Sequence, residues 1–150
     1  MSGTQYQIIK GEHKIIITDY ESLLVAAKNQ REPQRLLFVF LKASLPEDHE
    51  SEEAARFHSG QGGQLQPVMC VDKTLDELGT FADLVAEAEN MQQAWHIVLV
   101  ACLSGRNGIM PSSDDATQPL QIMQTTVENG GNLGNYIAFD KDGTPVQFEN

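Results

Sequence analysis

The loop Leu103-Ser104-Gly105-Arg106-Asn107-Gly108 holds the residue types best suited to gripping a small anion. Its two glycines let backbone N–H groups come close to a ligand, and the Arg106 guanidinium presents a planar fork to carboxylate or phosphate. Arg106 is also the only basic residue between Lys73 and Lys141, so it stands out in an acidic stretch. In open α/β sheets ligands settle beyond the carboxyl ends of strands, and this loop leaves the most apolar run of the chain. The spacing matches neither a GxGxxG fingerprint nor a GxxxxGK phosphate loop. A plain connecting loop, an anion-binding loop and a protein interface all fit these residues. Lys73 would complete an anion clamp with Arg106 if their strands are neighbours, although Asp72-Lys73-Thr74 also fits a turn into a capped helix. The candidate ligand-binding set is therefore Ser104, Gly105, Arg106, Asn107, Gly108 and Lys73.

Other chemistries find weaker support. Cys70 and Cys102 lie inside the apolar runs PVMCV and VLVACL, with no CxxC spacing and no adjacent helix start to lower a thiol pKa. Both are expected to be core cysteines that behave as small hydrophobes. The alternative is an enzyme of unspecified class with one of them as nucleophile. His49 and His58 flank the acids Glu50, Glu52 and Glu53, but they are not spaced i, i+4 as two ligands on one helical face would be. His13 and His96 have no Cys or Ser partner at a motif spacing. No catalytic residue, metal ligand or cofactor is assigned.

These residues need elements to hold them. Thr18 and Glu21 have capping-box spacing before the stripe Tyr20, Leu23, Leu24 and Ala27, which predicts a helix from about Asp19 to Gln30, stopped by Pro33. Arg35–Leu41 is a continuous apolar run, read as a buried central strand. Pro46 and the following acids predict a helix that ends near Ser59, with Gly60 beyond it. Pro67–Val71 is a second strand. Thr74 and Glu77 form another capping box before a helix with Leu78, Phe81, Ala82, Val85 and Ala88 on one stripe. Trp95–Leu103 is a third strand. Thr117 or Ser113 caps a last helix in which Leu120, Met123 and Val127 share a face, with Pro119 in its first turn and Gly130–Gly131 at its end. Tyr136–Asp140 and Thr144–Phe148 flank Asp142-Gly143 as a hairpin. Ile8–Ile9 and Ile15–Ile17 form an edge hairpin or a loose arm over residues 1–17.

Strands separated by helices usually run parallel, so the expected fold is a single α/β (or α+β) domain over residues 18–150. It has a mixed sheet of about five strands, helices packed on it and a C-terminal hairpin. An edge strand of that hairpin, around Tyr136, Phe139 and Phe148, offers a route to a homodimer.

The 150 residues fit one domain of ordinary globular composition, 41% hydrophobic and 21% charged. No apolar stretch approaches the ~20 residues of a membrane span, and the N-terminus lacks a signal-peptide layout, so a cytosolic protein without a membrane is expected. Net charge is −11. Residues 1–42 carry six basic and four acidic groups, and residues 43–150 carry four basic and seventeen acidic groups. That field repels phosphate backbones, which argues against nucleic acid as a partner.

The segments PQRLLFVF (Pro33–Phe40), PVMCVDKTLDEL (Pro67–Leu78), VLVACLSGR (Val98–Arg106) and TQPLQIM (Thr117–Met123) resemble a family of small bacterial proteins often labelled "ribonucleotide reductase subunit alpha". The resemblance runs from about Thr18 to Phe148. The label would imply a large barrel with a radical cysteine and a reducing cysteine pair, whereas this chain has two cysteines in all. What the resemblance implies is thus at most an accessory link to nucleotide metabolism. The residues themselves point to a non-enzymatic domain that binds a small anion or a protein partner, with an oligomeric scaffold as the third possibility.

Overall fold

Residues 6–10, 13–44 and 64–148 are described by a computed structural model of the chain. In chain order the elements are β1 (Tyr6–Lys10), β2 (His13–Ile17), α1 (Tyr20–Lys28), β3 (Gln34–Ser44), β4 (Gln64–Thr74), a 3-10 turn (Leu75–Glu77), α2 (Phe81–Glu89), β5 (Ile97–Ser104), α3 (Ser113–Glu128) and β6 (Ile137–Asp140). β1 and β2 form their own two-stranded antiparallel sheet. The main sheet runs β4-β3-β5-β6.

The apolar run in β3 is continuous because both of its faces are covered. Leu36, Phe38 and Phe40 pack with Val98, Val100 and Phe139 beneath Tyr20, Leu23, Ala26 and Ala27 of α1 and Leu84 and Ala88 of α2. Leu37, Val39 and Leu41 face the other way, with Ile97, Leu99 and Ala138, against Ala116, Leu120, Met123 and Val127 of α3. Helices therefore cover both faces, as an α/β domain requires.

Two features of the sheet differ from expectation. Among the described residues it has four strands rather than about five, and its pairings are antiparallel. The crossover through α2 does join two strands of the same direction, β4 and β5. β3 is inserted between them and runs against both, so no parallel neighbours result. The helix expected from Pro46 to Ser59, with His49 and His58, lies outside the described residues.

Helix starts follow the local contest for orphan N–H groups. α1 is capped by Asp19, whose Oδ1 accepts from the Ser22 N–H at 2.8 Å, while Ser22 Oγ accepts from the N–H groups of Thr18 and Asp19. The Thr74–Glu77 pair caps only a single 3-10 turn, with Glu77 Oε1 accepting from the Thr74 N–H at 2.9 Å. The chain restarts at Thr80, which shares a reciprocal pair of hydrogen bonds with Asp83. That restart turns Ala82 outward and Leu84 inward. Ser112 caps α3 through Asp115, so Pro119 is the seventh residue of the helix and not in its first turn. The helix continues through it at the cost of one backbone bond. α3 ends in a Schellman motif: Gly130 has φ 68°, and the Gly131 and Gly130 N–H groups donate to Thr126 and Val127.

Beyond β6 the chain reverses at Lys141-Asp142-Gly143, with Gly143 at φ 84°. Val146 N–H donates to the Ala138 carbonyl and Phe139 bridges to Pro145, so the returning segment covers the outer side of β6.

Candidate functional site

The Ser104–Gly108 loop is spent on its own architecture. Asn107 and Gly108 have φ 55° and 78°, a tight reversal that pairs Arg106 with Ile109. The Gly105 N–H donates to the Pro33 carbonyl at 2.8 Å, and a Cβ at Gly105 would collide with the Ile109 carbonyl. Ser104 Oγ accepts from the buried Gln34 side chain at 2.9 Å. The Gly108 N–H, the donor an anion would need, already donates to Glu32 Oε1 at 2.8 Å. The loop thus carries an anion supplied by its own chain. The Arg106 residue is exposed.

Lys73 does not join this loop. Its strand β4 is separated from β5 by β3, so the expected neighbourhood does not form. Lys73 Nζ instead lies 2.9 Å from Glu87 Oε2 on α2.

The thiols differ from each other. Cys102 is largely buried, which pushes its pKa up to about 11. Cys70 is exposed, a correction to the expectation of two core cysteines, because β4 lies at the sheet's edge rather than its middle. Its pKa is raised by the burial it retains and then by the nearby Asp72 charge. Neither environment favours a thiolate nucleophile. His96 Nδ1 accepts from the Ala43 N–H at 2.9 Å.

Asp72 lies on the opposite face of β4 from Lys73. It pairs with Arg35 Nη1 at 2.6 Å and accepts from Ser113 Oγ, while Arg35 Nε donates to the Pro111 carbonyl. This cluster ties the start of α3 to the sheet.

The chain matches no protein-family model, no curated protein and no solved structure.

The sequence shows a strand at Pro67–Val71, but not the full length of β4 or its place at the edge of the sheet. β4 is eleven residues long and forms the sheet's edge, with no strand on its outer side among the described residues. Between β4 and α2 lies a cavity of about 130 Å³, floored by Phe40, Leu84 and Ala88 and walled by Met69 and Val71. Met91, 63% exposed, and Glu87 stand at its mouth. The available signal was Pro67, since proline within a strand belongs at an edge. Among the described residues no helix is long and apolar enough to cross a membrane.

Proposed function

We propose that this chain is a non-enzymatic interaction domain that takes an extended segment of a protein partner along β4. The observation that carries this reading is the long edge strand whose outer backbone groups have no strand partner among the described residues. Such an edge is a template for strand addition: main-chain hydrogen bonds supply affinity and alternate side chains supply specificity. The returning segment beyond Gly143 already covers the other edge of the sheet, which leaves β4 as the open one among the described residues. A small anion seated on the Gly108 amide would have to displace Glu32, so that alternative has less support.

Panning a random twelve-residue peptide display library on the full chain tests the proposal. Enriched sequences whose synthetic versions shift the amide signals of Met69, Cys70 and Val71 support it. Failure to enrich, or peptides that leave those amides unmoved, would overturn it.

A further inference from the structure

We infer that the partner's segment is basic and carries one large apolar side chain, which it inserts into the cavity between β4 and α2. This inference rests on the edge-pairing reading above and specifies what that edge selects. A strand laid along β4 projects alternate side chains toward the face that α2 covers, and one of them meets the opening lined by Met69, Val71 and Met91. The cavity's volume of about 130 Å³ is close to the roughly 150 Å³ of apolar cavities that accept benzene, so it suits a single phenyl or isobutyl group. Methionines at its wall and mouth can adjust to either shape.

The charges around the opening set the flanks. Asp76, Glu77, Asp83, Glu87 and Glu89 all belong to the 3-10 turn and α2, which carry no basic residue. The two lysines nearby are already engaged, Lys73 with Glu87 and Lys141 with Glu89, each at 2.9 Å. The 3-10 turn and α2 are therefore net acidic beside a cavity that Glu87 lines, in a chain of net charge −11. Lysines or arginines flanking the apolar anchor are favoured there, and acidic flanks are repelled. A second copy of this chain would bring the same acids to face themselves, so self-pairing along β4 is disfavoured.

Three synthetic nonapeptides test this against the isotope-labelled full chain. All alternate threonine and valine; the first has a central phenylalanine and paired lysines at each end, the second has glutamates in place of the lysines, and the third has alanine in place of the phenylalanine. The first should shift the amides of Met69, Val71, Leu84 and Ala88 and bind about tenfold or more tightly than the third, since a phenyl group buries far more apolar surface in the cavity than a methyl group does. The glutamate peptide should bind far more weakly, and added salt should weaken the lysine peptide. Glu87→Lys, at a half-exposed position, should narrow or reverse the preference between the first two. Equal binding of all three, no binding of the lysine peptide, or shifts confined to other elements would overturn the inference. If the lysine peptide fails while library-selected peptides still shift β4, only the stated chemistry falls. If nothing engages β4, the edge-pairing reading falls with it.

Discussion

Tyr20 shows how much a single buried hydroxyl decides. Its ring packs edge-on against Phe81 and Phe139, with centroids 5.3 and 6.2 Å away, and its hydroxyl has no hydrogen-bond partner among the described residues. Burial, with the Glu21 and Asp83 charges behind it, pushes its pKa from 10.0 to about 12. The folded chain thus holds this proton more tightly than the unfolded chain does. The corresponding stability is complete below pH 10 and is lost as pH rises through 12. Tyr20→Phe removes an unsatisfied polar group and is expected to raise stability by about 1 kcal/mol at neutral pH. It should also flatten the alkaline decline, as urea denaturation at pH 7 and pH 11 would show. The two thiols make a second prediction. Near neutral pH one thiol, Cys70, should react with a disulfide reagent in the native state, and Cys102 should react only on unfolding. Two inert thiols would contradict the exposure of the β4 edge. The Cys70 rate should keep rising above its ordinary thiol pKa, because burial and Asp72 hold the proton on.

At the scale of elements, α2 depends on its own cap. Thr80 Oγ1 accepts from the Asp83 N–H at 3.1 Å, and Gly79 separates this helix from the 3-10 turn before it. Thr80→Ala should cost about 1 kcal/mol, read as a lower thermal midpoint, and should loosen the α2 wall of the cavity. The same region shows what was legible in the sequence. Apolar periodicity revealed the strands and helices because each element must bury a face, and the stripe Leu120, Met123 and Val127 is buried as read. Cap positions slipped by one or more residues wherever several candidates compete, as at Thr18 and Asp19 or at Ser112, Ser113 and Thr117. Strand direction was not legible. A run such as Leu36–Leu41 is apolar because both faces are covered, which is equally true in parallel and antiparallel sheets.

For the whole molecule, the candidate site was less legible than the fold because its parts are distant in sequence. The Ser104–Gly108 loop has the residue types of an anion site, yet Glu32, 76 residues from Gly108, fills the donor it would offer. The cavity draws on Phe40, Met69, Leu84 and Met91, which share no local motif. Only Pro67 hinted that their strand is an edge. One consequence concerns Trp95, the chain's only tryptophan. It is 1% exposed, its ring lies edge-on to Phe40 with centroids 4.9 Å apart, and Lys141 Nζ is 5.1 Å from its ring centre. Because Phe40 also floors the cavity, whatever enters there presses on the neighbour of the sole indole. Native emission should be blue-shifted by exclusion of water, change in intensity as the cavity fills, and move to the red on unfolding. The chain thus carries a built-in optical gauge of both its folding and its occupancy.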